Sequence, residues 1–301
     1  IINKIYSKLI RRWFLYSIRG IRNTKPVDNF DVNSDLIVLS MVQKTDIDML
    51  LIAIKSFTKY VSIKKFVIVA DPSLGNEDFK VLKQHLINVE FLLADDIADD
   101  SIPRGGCWER ILGIADVNEQ GYVIQLDADT ITVAPPQEVI NAVKEGIAFT
   151  LGTKTGQSFS SLAESASFAT SLKNKGETHI QIMCEALLGE LPESYKYYVR
   201  GCAGFAGFPK KTLSKEKLIE ISSFFTKKLQ ERWNEWGSEQ FASNLIIANA
   251  QKKEVLNVDS YDVPFTLSNN LVFHHYIGTV RFSNLNYWKN ARKIIKSGLL
   301  S

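Results

Sequence analysis

The segment Gly121-Tyr-Val-Ile-Gln-Leu-Asp-Ala-Asp-Thr-Ile-Thr-Val133 is an apolar run that contains two carboxylates separated only by Ala128. Its apolar part predicts a buried strand. Burying the charges of Asp127 and Asp129 directly after that strand would be costly without a partner. A divalent cation or backbone N–H groups at a strand end would offset the cost. The alternative from the residues alone is a strand-to-turn junction in which Asp127 caps a helix or a turn and Asp129 is solvated.

Strands and helices alternate along the first half of the chain. Apolar runs suited to strands covered on both faces occur at 36–42, 65–70 and 89–93. Helical patterns follow them at about 46–60, 76–86 and 108–117. This alternation predicts an α/β fold in which right-handed crossovers join a mostly parallel central sheet.

Beyond the central segment the alternation is less regular. The sequence predicts a helix at about 137–144, strands at 146–151 and 197–208, and helices at about 215–230 and 239–250. Residues 152–171 are rich in Ser, Thr and Gly, which is typical of a mobile loop over a site.

The composition is that of a globular protein, because 45% of the 301 residues are apolar and only 23% are charged. Cys107, Cys184 and Cys202 form no Cys-x-x-Cys pair, which argues against a disulfide framework and a structural zinc site and favours a reducing compartment. No apolar run is long enough to cross a bilayer, and the N-terminal segment lacks the features of a secretory signal. We therefore expect a cytoplasmic protein.

The net charge of +3 conceals an asymmetry between the start of the chain and the rest. Seven basic residues precede the first acidic residue: Lys4, Lys8, Arg11, Arg12, Arg19, Arg22 and Lys25. Without them the chain has 29 basic and 33 acidic residues. A nucleic-acid-binding protein would carry its basic residues across a folded face, so we do not expect a nucleic-acid partner.

The basic leader, residues 1–25, predicts an amphipathic helix. Its apolar residues recur at helical spacing and include Ile2, Ile5, Leu9, Trp13 and Tyr16. Three partners fit such a stripe: an anionic membrane surface, the body of the same chain, or a second subunit of a homo-oligomer. The first would place the protein on the inner face of a membrane.

Three further motifs accompany the central one, and their order along the chain is informative. The four are Trp108-Glu-Arg110, Leu126-Asp-Ala-Asp129, Glu239-Gln-Phe-Ala-Ser-Asn244, and His275-Tyr-Ile-Gly278 with Arg281 three residues later. Together they resemble the GT-A-fold glycosyltransferases, and most closely glycosyltransferase family 8, which includes glycogenin and bacterial lipopolysaccharide galactosyl- and glucosyltransferases. The resemblance spans about residues 36–282.

The resemblance implies a metal centre and a phosphate contact. Asp127 and Asp129 match the metal motif of the family, and His275 matches its third metal ligand. His274 would point to the opposite face of a strand, so only His275 is expected at the metal. Arg281 stands where the family has a lysine that contacts the diphosphate, and both side chains bind phosphate.

The resemblance also implies residues that contact the donor. Arg110 is expected in the donor site, and Glu239 and Gln240 are expected beside the reacting sugar carbon. Gly204 and Gly278 match glycines that lie close to the donor, and Gly278 would let the backbone approach the phosphates. The chain departs from the family at Cys202, where the family has Asn, and at Phe241, where it has Asp. Trp233 and Trp236 could stack on a sugar or pack in the core.

These residues together predict a metal-dependent hexosyltransferase. The expected donor is a nucleotide sugar, with a UDP-sugar favoured, and the expected acceptor is a glycan or glycolipid. Departure of a nucleoside diphosphate builds negative charge that Mn²⁺ or Mg²⁺ would neutralise, and an imidazole ligand favours Mn²⁺. By resemblance, transfer retains the anomeric configuration.

Two other functions remain open at this level. One is an inactive GT-A domain that acts as a sugar-binding or scaffold module. The other is a nucleotidyltransferase, which would need a Gly-rich loop after the first strand, whereas residues 41–46 contain no glycine. The predicted organisation is a helix at 1–25, a linker at 26–34, and one catalytic domain at 35–301 with a nucleotide-binding half (35–151), an acceptor and donor-sugar half (152–282) and a C-terminal helix (283–301).

Overall fold

The computed structural model describes residues 2–262, 271–282 and 284–299. Its α-helices are α1 (Ile2–Ser17), α2 (Ile47–Thr58), α3 (Asn76–His85), α4 (Ala94–Ile97), α5 (Trp108–Val117), α6 (Gln137–Glu145), α7 (Leu162–Lys173), α8 (Ile180–Glu185), α9 (Lys215–Leu229), α10 (Ser238–Ala248) and α11 (Asn286–Leu299). Its strands are β1 (Leu36–Val42), β2 (Lys65–Ala70), β3 (Val89–Leu93), β4 (Tyr122–Leu126), β5 (Thr130–Thr132), β6 (Ala148–Leu151), β7 (Ser160–Ser161), β8 (Tyr197–Tyr198), β9 (Cys202–Phe208), β10 (Lys253–Leu256), β11 (Tyr261–Asp262) and β12 (Phe273–His275). Short 3-10 helices occupy Arg19–Asn23, Lys44–Asp46, Leu188–Glu190, Gln230–Asn234 and Gly278–Phe282.

Within the described residues, seven strands form the central sheet in the order β10-β6-β9-β4-β1-β2-β3. Strand β9 runs antiparallel to β4 and β6, and every other neighbouring pair in this sheet is parallel. Helices cover both faces, which is why β1, β2 and β4 are apolar on both sides rather than alternating. This confirms the predicted α/β fold with a mostly parallel central sheet.

The central segment is two strands rather than one. Strand β4 ends at Leu126, and the chain turns at Ala128 and Asp129. Strand β5 then leaves the central sheet and pairs antiparallel with β12 in a second sheet of order β11-β12-β5. The two carboxylates therefore lie at the junction between two sheets.

Residues 152–171 are only partly the loop that their composition indicated. Helix α7 begins at Leu162 and is capped by Ser161, whose hydroxyl accepts from the Glu164 N–H while the Glu164 carboxylate accepts from the Ser161 N–H. This reciprocal pair is a capping box, a local signal that the Ser and Thr content of the segment concealed. The loop prediction is therefore wrong for residues 162–171.

The leader forms helix α1 and packs on the body of the protein. Phe14, Ile18 and Ile21 are buried in the main core. The Phe14 ring lies 4.6 Å from the ring of Tyr287 and 5.0 Å from that of Phe282. Among the described residues, no helix is both long and apolar enough to span a bilayer.

The segment predicted as a linker follows α1 and runs along the body. Val27 is buried, and its N–H donates to the carbonyl of His85 at 2.9 Å. The N–H of Asp31 donates to the carbonyl of Ile63 at 2.9 Å. These backbone bonds hold the start of the chain against the segments that lead into β2 and β3.

Candidate functional site

A cavity of about 710 Å³ opens where the chain leaves the carboxyl end of β4. Ligands gather at this end of the strands in open α/β sheets. Its lining includes all nine residues that the sequence singled out: Arg110, Asp127, Asp129, Gly204, Glu239, Gln240, His275, Gly278 and Arg281. The structure thus brings together residues from five separate segments of the chain.

Strand pairing brings His275 to the two carboxylates. In the β5–β12 ladder Thr130 lies opposite His275, and the Tyr276 N–H donates to the Asp129 carbonyl at 2.8 Å. The His275 Nε2 is then 3.2 Å from Asp129 Oδ1 and 3.8 Å from Asp127 Oδ2. Its neighbour on the strand, His274, is not part of the cavity lining.

Gly204 makes room for the His275 ring, because a Cβ at this position would overlap the imidazole. The Sγ of Cys202 lies 3.3 Å from His275 Nδ1. Cys202 therefore contacts one ring nitrogen, while the other, Nε2, faces the carboxylates. In this way both residues set the ring's position.

An arginine binds each of the two carboxylates through the oxygen that does not face His275. Arg110, in the first turn of α5, donates one N–H to Asp127 Oδ1 and another to Glu239 Oε2 at 2.9 Å. Arg281 donates to Asp129 Oδ2 and to the Tyr276 carbonyl at 3.1 Å. Asp127 Oδ2 and Asp129 Oδ1 are left facing His275.

These free oxygens and His275 Nε2 form a donor set for a cation. The three residues each offer a ligand atom, and those atoms lie within 4.8 Å of one another. Two carboxylates and one imidazole are a donor set that suits Mn²⁺, and the paired arginines offset the charge of the carboxylates. The residues present therefore fit a divalent cation.

Burial and neighbouring charges act against each other at this centre. Burial raises the pKa of Asp127 despite the adjacent Arg110. Burial also opposes ionisation of Asp129, but the charge and hydrogen bond of His275 together with the charge of Arg281 outweigh it and lower the pKa of that carboxyl. Burial disfavours the charged form of His275 too, yet Cys202 and Asp129 raise its pKa. A histidine ligand must be neutral to bind a metal ion, so the affinity of a cation for this site depends on pH.

Glu239 and Gln240 lie side by side at the start of α10. Burial raises the pKa of Glu239 to about 7, although the Arg110 guanidinium opposes this. Gln240 accepts from the Ala203 N–H at 3.2 Å, and its amide donates to Gln181 Oε1 at 3.2 Å. These contacts hold the Gln240 side chain at the cavity wall beside β9.

The other residues of the α10 motif face away from the cavity. Asn244 is buried and donates to the Gly201 carbonyl at 2.8 Å. Phe241 packs in an aromatic cluster, 5.1 Å from the Tyr198 ring and 4.8 Å from the Phe225 ring. Phe241 is therefore not part of the cavity lining.

The cavity has walls that the motifs did not identify. Residues 152–155 form one wall, and Gly106, Cys107 and Trp236 form part of another. The Trp236 side chain is 71% exposed, whereas Trp233 is fully buried. Sequence reasoning treated the two tryptophans alike. The glycine after Trp236, which has a φ of +107°, marks the turn that exposes it.

Solved structures with a similar fold include glycosyltransferases. The chain is similar to the galactosyltransferase LgtC in complex with donor and acceptor sugar analogues, with a TM-score of 0.53 and 11% identity over 87% of this chain and 95% of that one. It is also similar to the glycosyltransferase GlyE of Streptococcus pneumoniae, with a TM-score of 0.55 and 13% identity over 88% of this chain and 63% of that one. The sequence matches no protein-family model and no curated protein. At these identities the likeness shows the fold, and the chain has the fold of the GT-A glycosyltransferases.

Proposed function

We propose that this protein is a metal-dependent glycosyltransferase that moves a sugar from a nucleotide-sugar donor to an acceptor. The observation that carries the proposal is the convergence of Asp127, Asp129 and His275 in one cavity of the GT-A fold. The structural neighbours are glycosyltransferases by name, and one of them was solved with donor and acceptor sugar analogues. Membership of family 8, a UDP-sugar donor and transfer with retention are further parts of the proposal.

Asp127, Asp129 and His275 would hold Mn²⁺ or Mg²⁺. When bound, such an ion supplies Lewis-acid stabilisation of the negative charge on the departing diphosphate. Arg281 lines the same cavity and carries a fixed positive charge toward the diphosphate. Gly278, with a φ of +52°, adopts a left-handed conformation that favours glycine and lets the backbone approach a phosphate.

Arg110 and Glu239 would organise the sugar side of the site. Because Arg110 bridges Asp127 and Glu239, it ties the metal centre to the start of α10. The second carboxylate oxygen of Glu239 has no hydrogen-bond partner among the described residues. A buried acceptor without a partner is costly, and a sugar hydroxyl could satisfy it.

Gln240 would orient the sugar at the reacting carbon. Its side chain is held by Ala203 and Gln181, so its position is set before a substrate arrives. A fixed amide dipole at that point stabilises charge that develops as the donor bond breaks, without the cost of reorganisation. The acceptor, a glycan or glycolipid, would enter past the exposed Trp236, whose ring can stack on a sugar face.

A thermal-shift panel with UDP, GDP, CDP and their sugars, each with and without Mn²⁺, tests this proposal. We expect one diphosphate to raise the melting temperature only when Mn²⁺ is present, and Asp129→Asn to abolish that shift. A chain that responds to none of the nucleotides would contradict the proposal. A Mn²⁺-dependent shift without hydrolysis or transfer of the matching sugar would instead identify an inactive sugar-binding module.

A further inference from the structure

The two ends of the chain carry the basic excess of the whole protein. Residues 1–27 contain seven Lys or Arg residues and residues 263–301 contain five, and neither segment contains an acidic residue. The residues between them hold 24 basic and 33 acidic residues. Each terminal segment therefore has a net positive charge, whereas the part of the chain between them has a net negative charge.

The fold places these two segments side by side. Helices α1 and α11 pack together through aromatic rings, with Trp13 5.6 Å from Trp288 and Phe14 4.6 Å from Tyr287. The two basic segments are more than 200 residues apart in sequence. Arg19 of the first segment and Arg292 of the second nevertheless line one groove between the helices.

Helix α1 packs on the body through one stripe and exposes another. The apolar residues Leu9, Trp13 and Tyr16, at spacings of four and three, are 57%, 47% and 72% exposed. They share one face of the helix, and the exposed side chains of Lys8 and Arg12 lie beside that face. The face that packs on the body uses Phe14 instead.

Helix α11 has a buried side and a basic side. Its buried residues, Tyr287, Ala291 and Ile295, recur every four positions and face the core. Its exposed basic residues are Lys289, Lys293 and Lys296. The two helices meet at a shallow groove of about 530 Å³, and the described residues that line it include no acidic one. The lining is formed by Trp13, Tyr16, Ser17, Arg19, Trp288 and Arg292.

We propose that the exposed faces of α1 and α11, here called the terminal surface, form one docking site for an anionic lipid bilayer. Aromatic and aliphatic side chains next to Lys and Arg on a helix that lies in the membrane plane are the composition that such interfaces require. Leu9, Trp13 and Tyr16 would enter the boundary between headgroups and acyl chains. The basic side chains of both helices would reach the lipid phosphates, because their long apolar stems let the charged ends extend to the interface.

Charge and composition favour this partner over two others. A second copy of the chain would bring the same positive charge against itself, which is repulsive across an interface. A nucleic acid would be held through its phosphates. An exposed aliphatic side chain such as Leu9 contributes no free energy to binding of that kind. Only the bilayer uses both the apolar stripe and the basic residues.

Sedimentation of the full chain with vesicles tests the terminal surface. The vesicles contain phosphatidylcholine alone or with 30% phosphatidylglycerol, a composition chosen for roughly the negative charge of natural membranes. We expect binding to the anionic vesicles only, and we expect release as the salt concentration rises. Each neutralised charge should weaken partitioning about fivefold, because a basic residue at such a surface contributes about 1 kcal/mol.

Three matched triple variants separate the contributions. The first carries Lys8→Gln, Arg12→Gln and Arg19→Gln on and after α1, the second carries Lys289→Gln, Lys293→Gln and Lys296→Gln on α11, and the control carries Lys173→Gln, Lys210→Gln and Lys227→Gln elsewhere. All nine side chains are exposed, so the variants should fold, and their melting temperatures check this. The first two variants should each lose about a hundredfold in partitioning, and the control should change less than about fivefold.

Several outcomes would overturn the proposal. Equal loss in all three variants would show attraction by net charge alone. Full binding by the α11 variant would show that the two helices do not form one site. Failure of the unmodified chain to bind anionic vesicles, together with binding to a single-stranded RNA at the same salt concentration, would assign the surface to nucleic acid instead.

Discussion

In each of the two aspartates, one carboxylate oxygen binds an arginine and the other faces the candidate metal position. Arg110 holds Asp127 Oδ1 and Arg281 holds Asp129 Oδ2, so the remaining oxygens face His275. An arginine in this role fixes the carboxylate and offsets its charge, which lowers the cost of burying two acids together. The arginines therefore orient ligand atoms in addition to any contact with phosphate.

At the same scale, the geometry of His275 depends on the absence of a side chain at position 204. Gly204→Ala places a Cβ within the space of the imidazole ring, so the ring must move away from the carboxylates. We expect this variant to weaken Mn²⁺ binding by about 10- to 100-fold, the range typical when a residue that positions a ligand is changed. Titration calorimetry with Mn²⁺ measures the loss.

Gly189→Ala is the matched control for that prediction. A Cβ at position 189 meets no atom within 4 Å, and the residue lies outside the cavity lining. Its Mn²⁺ affinity should equal that of the unmodified chain. Unchanged Mn²⁺ affinity in Gly204→Ala would mean that His275 is not a ligand.

Strand alternation limits what can be predicted for the two adjacent histidines. Residues that alternate along a strand point to opposite faces, so at most one of His274 and His275 was expected in the site, and the motif match favoured His275. In the structure His275 lines the cavity and His274 does not. The choice between Trp233 and Trp236 depends on which side of a turn each residue occupies. That turn is set by tertiary packing around α10, which a single sequence does not encode in any local pattern.

Within helix α1, the adjacent aromatic residues Trp13 and Phe14 differ in how deeply they are buried. Phe14 is 2% exposed and touches Tyr287, whereas Trp13 is 47% exposed. We expect Phe14→Ala to lower the free energy of unfolding by about 3 to 5 kcal/mol, the cost of emptying a buried aromatic site. Trp13→Ala should lower it by less than about 1.5 kcal/mol, because roughly half of that side chain is already in water.

Urea denaturation of the two variants measures this difference. The variant Trp13→Ala serves as the control, since it removes an aromatic ring from the same helix one residue away. Equal, small losses in both variants would show that α1 is not docked on the body in solution. Such a result would mean that the leader helix does not pack on the rest of the same chain.

The strands and helices of the first half agree with their predicted bounds because local pattern and tertiary environment point the same way there. Strands β1, β2 and β3 and helix α5 begin and end at the predicted residues. Strand β5 was not separable from β4 by sequence, because its three β-branched residues suit a continuation of the same strand. Its separation comes from pairing with β12, which lies about 140 residues later. Such long-range pairing is invisible to periodicity.

At the scale of the whole molecule, the terminal helices and the cavity share a boundary. The Tyr287 hydroxyl of α11 donates to the carbonyl of Ala128, the residue between the two aspartates, at 3.4 Å. Phe14 of α1 packs on Phe282, which adjoins Arg281 in the same 3-10 helix. A ligand that fixes Arg281 and the aspartate turn therefore also restrains the surfaces on which α1 and α11 rest.

This shared boundary predicts that donor binding stabilises the ends of the chain. A ligand that binds only the folded form of the site reduces local opening of every segment that opens together with the site. In hydrogen exchange, we expect Mn²⁺ with the matching nucleoside diphosphate to slow amide exchange in 278–282 and in the first turns of α11. Helix α9 should keep its exchange rate, because its Leu218 and Phe225 belong to a different apolar cluster from the one that contains Phe14 and Tyr287. Slowing confined to the residues that line the cavity would show that the site and the terminal helices open independently, and uniform slowing across α9 would show only a global gain in stability.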